Sequence, residues 1–297
     1  MSRLEVLDPG PSCTVQDLGR PGLAGIGVPR SGAADRAALR LANRLVGNAE
    51  GAAGLEVTYG GLRVRALEPL VVAVTGAWAP LRVSLGGRSV PAAPFSVLHL
   101  AAGAQLLVER PRSGLRSYLA VRGGLDVPMV LGSRSTDVLS GLGPLGPGPL
   151  GAGVVLPVGA PTGPLPAVDL APVSYPGEDA PVAEVALRVR LGPRHDWLSP
   201  SGLHTLLGSA WEVTAEANRV GLRLAGPQLQ RARTEELASE GLVPGAVQVP
   251  AVGQPVLFLV DHPVTGGYPV VAVLRDADLD VAGQLVAGQR VRFRATG

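Results

Sequence analysis

The stretch EVALRVRL (184–191) alternates without a break: Val185, Leu187, Val189 and Leu191 fall on one side, and Arg188 and Arg190 on the other. RVRFRA (290–295) repeats the pattern, with Val291 and Phe293 between three arginines. A period of two describes a strand with one dry and one wet face, and it is incompatible with a helix. VVAVTGA (71–77), SVLHL (96–100), QLLVER (105–110), SYLAV (117–121), WEVTAE (211–216) and AVQVP (246–250) are further short strand candidates. Their close spacing and Gly/Pro punctuation favour barrels or sandwiches over alternating βαβ units. The expected fold class is therefore mainly β with a few helices.

One helix has a full set of signals. Asp35 can cap it, Ala38, Leu41, Ala42 and Leu45 share a face, and Gly47-Asn48 stops it. A shorter helix is expected from Ser201 to Leu207. GLGPLGPGPLGAG (141–153) cannot hold a ladder, because Pro lacks the N–H and Gly lacks packing. Residues 157–182 are again rich in Pro, Ala and Gly. The expected organisation is an N-terminal β lobe over residues 1–160, a linker over 161–183 and a C-terminal β lobe over 184–297.

Composition closes several routes. The 297 residues contain 26 basic side chains, all of them Arg. Without Lys there is no Schiff base, no phosphate-loop lysine and no attachment point for biotin on this chain. The formal charge of +2 and the lack of an Arg/aromatic block speak against nucleic acid. Cys13 is alone, so no intrachain disulfide forms, which fits a reducing compartment. No apolar run is long enough to span a membrane, and the N-terminus lacks an apolar signal core, so a cytoplasmic location is expected. His99, in an apolar strand, reads as a core imidazole. His195 with His204 matches no metal-ligand spacing, and no metal site is expected.

Four Gly-rich polar segments interrupt the strands: 14–35, 122–137, 217–228 and 239–269, the last containing DHPVTGGYP (261–269). Glycines let backbone N–H groups approach a ligand, and Arg offers a planar fork for a carboxylate or phosphate. The alternative is that β proteins need Gly-rich corners in any case. His262 is either a proton carrier or, held by Pro263, a loop-shaping residue. Tyr268 either stacks on a ligand or caps the core.

Taken together, TVQDLGRPG, PRSGAAD, YLAVRGGLDVP with LGSRSTD, NRVGLRLAGPQ, and EGLVPGAVQVPAVGQPVLFLVD with TGGYP resemble the allophanate hydrolase subunit 2 family. That family is also described as the 5-oxoprolinase C subunit family, biotin-dependent carboxyltransferase-like or KipA-like, and the resemblance runs from about Leu4 to Phe293. It implies two cyclophilin-like β-barrel lobes and a partner, the 5-oxoprolinase B subunit or allophanate hydrolase subunit 1-like protein. The implied activity is ATP-dependent opening of 5-oxo-L-proline to L-glutamate, with ATP and Mg shared with or held by the partner. Two alternatives are a carboxyltransferase-type subunit acting on urea and a regulatory binding partner without catalysis. For phosphorylation of a small amide or lactam, Arg122, Arg134 and Arg219 are candidate charge clamps, with Asp261 and Thr265 as further catalytic candidates. Gly123, Gly124, Gly266 and Gly267 would supply backbone N–H groups, while Asn218, Gln248 and Tyr268 would contact substrate. The chain departs from the family at His262, Pro263 and Val264, where Arg, Gln and Thr are usual, and at Val270 after GGYP.

Overall fold

The alternating strands of the sequence become hydrogen-bonded sheet ladders in a computed structural model that describes residues 2–173 and 184–296. Of the expected linker, residues 174–183 lie outside the described residues. Contacts divide the chain into one unit of residues 1–20 and 31–178 and a second of residues 21–30 and 179–297. Residues 21–30 thus fall in the second unit rather than with the sequence that surrounds them.

In the first unit the elements are β1 (Arg3–Pro9), β2 (Ser12–Gln16), α1 (Arg36–Leu45), β3 (Gly54–Thr58), β4 (Leu62–Ala66), β5 (Leu70–Trp78), β6 (Leu81–Leu85), β7 (Arg88–Ala92), β8 (Val97–Leu100), β9 (Gln105–Val108), β10 (Ser113–Val121) and β11 (Val155–Pro157). They form a six-stranded sheet, β11-β1-β4-β9-β6-β7, and a five-stranded sheet, β2-β3-β10-β5-β8. Both sheets contribute to one aliphatic core, including Val6, Leu55, Val64, Val72, Leu106 and Leu119. With so few aromatics, Val, Leu and Ala fill it, as the composition requires.

Helix α1 lies against β5 and β10. Its start is set by Asp35, whose carboxylate accepts from Ala38 N at 2.8 Å. Thr75 Oγ1 on β5 donates to Ala38 O at 2.7 Å. Beside this end, Tyr118 OH donates to the buried Glu56 at 2.7 Å and accepts from Asp35 N at 2.7 Å. Burial, reinforced by the Glu56 charge, raises the Tyr118 phenol well above its ordinary range, so it stays neutral.

The second unit contains β12 (Val185–Leu191), α2 (Pro200–Gly208), β13 (Trp211–Val213), β14 (Gly221–Ala225), β15 (Glu240–Gly241), β16 (Ala246–Gln248), β17 (Val256–Phe258), β18 (Thr265–Gly266), β19 (Val270–Leu274), α3 (Asp276–Ala282) and β20 (Arg290–Ala295). Seven of its strands close a barrel in the order β12-β19-β16-β17-β14-β13-β20. The two alternating stretches close it: β12 and β20 pair in parallel, from Val185↔Val291 to Val189↔Ala295. Leu187, Val189, Val291 and Phe293 point into its core together with Trp211, Leu222, Val247 and Leu257. β15 and β18 form a separate two-residue ladder.

The mainly β expectation and the two helices read from sequence are realised. His99 is a correction: β8 is the edge strand of its sheet, and the imidazole is exposed while Leu98 and Leu100 face the core. No helix among the described residues is long and apolar enough to cross a membrane.

Candidate functional site

The Gly-rich segments meet in pairs. In the first unit, segments 14–35 and 122–137 converge on Asp17. Its Oδ1 accepts from Ser133 Oγ at 2.6 Å, Ser135 Oγ at 2.5 Å and Gly19 N at 2.7 Å, and its Oδ2 from Arg134 N at 2.7 Å. All of these donors belong to the protein, so this junction holds loops together. Arg134 donates from Nε to Val127 O at 2.6 Å and pairs with Asp126 at 2.8 Å. Arg122 donates to Val46 O at 2.9 Å and to Gly163 O at 2.5 Å. Gly123 N donates to Asn48 Oδ1 at 2.7 Å, and a Cβ on Gly123 would lie 2.0 Å from Gly159 O. Gly124 N donates to Val121 O at 2.8 Å, and its missing Cβ leaves room for Ala52. These four residues are committed to backbone and neighbouring loops within the first unit.

In the second unit, segments 217–228 and 239–269 line a cavity of about 340 Å³. This lies at the lower end of the usual range for ligand pockets, roughly 300–1,000 Å³. Leu242, Pro250, Val256 and Phe258 supply apolar wall, and Asn218, Gln248, Gly266, Gly267 and Tyr268 all line it. Gln248 ends β16, is only 3% exposed, and donates from Nε2 to Tyr268 O at 2.8 Å. Asn218 closes a turn before β14, its Oδ1 accepting from Val220 N at 2.8 Å and Gly221 N at 3.2 Å. Tyr268 is half-exposed rather than a core cap, and it also borders two open clefts of about 460 and 630 Å³. At the rim, Arg223 pairs with Glu216 at 3.0 Å, both largely exposed. Sequence reading missed this arginine. Its alternation within GLRLA, with Leu222 and Leu224 inward, was the available signal.

The DHPVTGGYP connector serves two purposes. Asp261 and His262 turn inward, while Pro263, Gly266, Gly267 and Tyr268 face the cavity. Asp261, fully buried, receives Arg219 Nε at 2.8 Å and a terminal nitrogen at 3.0 Å. Asp261 N also donates to Arg219 O at 3.1 Å. This pair ties the turn before β14 to the end of β17, and neither residue lines the cavity. His262 is buried, with Nδ1 2.7 Å from Pro263 O and its ring edge-on to Phe258. Thr265, exposed on β18, pairs with Gly241 of β15. Arg194 holds the same ladder through an ion pair with Glu240.

A triphosphate with Mg²⁺ would need free cations and an oxygen-rich metal site. Arg122, Arg134 and Arg219 are each engaged with protein acceptors or carboxylates. Among the described residues no group of three or more His, Cys, Asp or Glu side chains is gathered for a metal. These residues do not fit a nucleotide-metal site, and no step is routed through one.

The fold and site define a β protein whose closed barrel carries, at its corners, a small, mostly apolar cavity lined by two carboxamide side chains. The chain belongs to the carboxyltransferase-domain family: the model described as carboxyltransferase domain, subdomain A and B, matches residues 26–295. It is 37% identical to the 5-oxoprolinase C subunit of Escherichia coli (strain K12), over 98% of this chain and 90% of that protein. Among solved structures it resembles TTHA0988 (TM-score 0.85, 34% identity), covering 99% of this chain and 55% of that one. It also resembles the urea carboxylase of Kluyveromyces lactis (TM-score 0.88, 31% identity), covering 99% of this chain and 27% of that one.

Proposed function

We propose that this chain is the C subunit of an ATP-dependent 5-oxoprolinase. It acts with a 5-oxoprolinase B subunit or allophanate hydrolase subunit 1-like partner to phosphorylate 5-oxo-L-proline and open it to L-glutamate. The observation that carries the reading is the end-to-end match with the E. coli protein, in which each sequence spans nearly all of the other. The cavity supports it. Its apolar wall suits the methylene side of a five-membered lactam, and Arg223 at the rim suits the ring's carboxylate. The exposed Glu216–Arg223 pair contributes at most about 1 kcal/mol, so a ligand carboxylate can compete for the guanidinium. In this reading ATP and Mg²⁺ are held with the partner, in keeping with the engaged arginines of this chain.

The similarity to a urea carboxylase favours a second reading, in which the chain is one component of a carboxyl transfer to urea or a related amide. Lacking Lys, it would depend on a biotin carrier elsewhere. Coexpression with a 5-oxoprolinase B subunit or allophanate hydrolase subunit 1-like partner, followed by measurement of ADP release, separates the two. Stimulation by 5-oxo-L-proline alone is expected. A requirement for biotin carrier and urea would replace the first reading with the second. Tight partner binding without turnover of any amide would leave a regulatory binding protein.

A further inference from the structure

We infer that a separate cleft on the second unit is a subsite for a small oxyanion, a phosphate or carboxylate group, held by Arg231. The inference stands apart from the 5-oxoprolinase reading. The cleft, of about 400 Å³, is lined by Gln228, Leu229, Gln230, Arg231, Thr234 and Ala251, none of which lines the cavity beside Gln248. Arg231 is the one charged side chain of the six. Two guanidinium groups lie over the buried Trp197 ring, Arg231 at 5.6 Å and Arg233 at 6.0 Å from its centroid. Their charge balance differs. Arg233 pairs with Asp196 at 2.8 Å, whereas Arg231 has no carboxylate partner among the described residues. Its Nε is buried without an acceptor, and so is the indole N–H of Trp197. An arginine at the open surface gives its N–H groups to water, but a covered donor with no acceptor is costly. A half-buried positive charge with an unmet donor is complemented by a negatively charged acceptor, and the planar fork of Arg suits phosphate and carboxylate oxygens.

The backbone that carries Arg231 is fixed from both sides. Ser199 N donates to Gln230 O at 3.0 Å, Ala232 N to Trp197 O at 2.8 Å and Leu229 N to Gly253 O at 3.0 Å. Two glycines permit these approaches. A Cβ on Gly202 would lie 2.3 Å from Gln230 O, and one on Gly253, where φ is +76°, 2.7 Å from Gln228 Cγ. The segment and the ring beneath its arginine are thus in place before any ligand arrives, which lowers the ordering cost of binding. An adjoining cleft of about 460 Å³ shares Arg231 and Thr234, but Glu235 and Glu236 line it as well. Their charges disfavour an anion on that side and leave the side of Gln228 and Gln230 for it.

The test is titration of the full chain with inorganic phosphate and, separately, with acetate over the millimolar range, at constant ionic strength so that general screening does not change. Binding is followed by NMR at the Trp197 indole N–H and the Arg231 Nε–H. At least one anion should shift both signals saturably. Tighter binding of phosphate would assign the subsite to phosphate compounds, and tighter binding of acetate to carboxylates. Arg231→Gln should weaken the preferred anion on the order of tenfold or more, as the loss of a charge-assisted hydrogen bond implies. Thr234→Glu guards against a folding defect, because it leaves Arg231 on Trp197 and places a carboxylate in the cleft from an exposed position. It should weaken binding to a similar degree with an unchanged melt. No saturable shift at these two signals with either anion, or undiminished binding in folded Arg231→Gln or Thr234→Glu protein, would overturn the inference.

Discussion

Arg219 and Asp261 face each other with 6% and 0% of their surfaces exposed, joined by two hydrogen bonds. Truncating one member of such a pair strands a charge in a dry interior and costs about 3–5 kcal/mol. Arg219→Ala is therefore expected to lose about that much stability in urea unfolding, so any loss of activity would follow from the fold. The neighbouring glycines should split. Gly266→Ala places a methyl against the Gln248 carboxamide and is expected to weaken ligand binding several-fold. Gly267, whose Cβ would meet its nearest neighbour, Leu237 O, at 3.5 Å, should accept alanine within about 0.5 kcal/mol. Parallel titrations and melts of the two variants check this. At this scale the sequence was only half legible. It identified Asn218, Gln248, Gly266, Gly267 and Tyr268, which share one cavity. It offered no way to tell an arginine that meets a ligand from one, such as Arg122, that meets the carbonyls of Val46 and Gly163. The partner of a guanidinium is a tertiary fact, whereas glycine's tolerance of close approach is written in the residue type.

Elements were legible where their signals were local. Asp35, the 3.6-residue spacing and Gly47 predict α1, and the cap forms as read. Helix α3 went unpredicted because seven residues hold too few turns for a period to show. What fixes it is long-range: Asp278 is buried, accepts from Arg188 N at 2.5 Å and pairs with the Arg188 guanidinium at 2.6 Å. The Arg188 side-chain hydrogen bonds hold the Asp278 carboxyl below the usual range. A carboxyl lowered in the folded state stabilises the fold fully above its unfolded value, roughly pH 3.9, and loses that contribution as pH falls through the folded value. The stability difference between the wild-type chain and Asp278→Asn should therefore be constant from neutral pH to about pH 5 and shrink below about pH 4. Denaturant unfolding across that range checks it, and a gap that widens on acidification would contradict the assignment. His99 shows the converse problem. Its strand is apolar in sequence, but edge position in a sheet is decided by topology, which places the imidazole in solvent.

For the molecule as a whole, the alternating strands foretold a β protein, and the two cleanest of them close the second-unit barrel on each other. That the Gly-rich segments would meet in pairs was not legible, because the pairing depends on sheet order. Segments 14–35 and 122–137 knot around Asp17, while 217–228 and 239–269 wall the cavity. At 262–264, where the resemblance implied other polar residues, Pro263 lines the cavity wall and the His262 ring packs edge-on against Phe258. In the proposed function the second-unit cavity is the place where this chain meets its substrate, and one comparison tests that most directly. With the chain coexpressed with the proposed B-subunit partner, 5-oxo-L-proline-stimulated ADP release is measured for the wild-type protein and for Gln248→Leu, with melting temperatures in parallel. The account predicts a loss of kcat/KM for 5-oxo-L-proline on the order of tenfold or more, with a melt lowered by only a few degrees for the lost hydrogen bond to Tyr268 O. Undiminished turnover in a folded Gln248→Leu protein would contradict it.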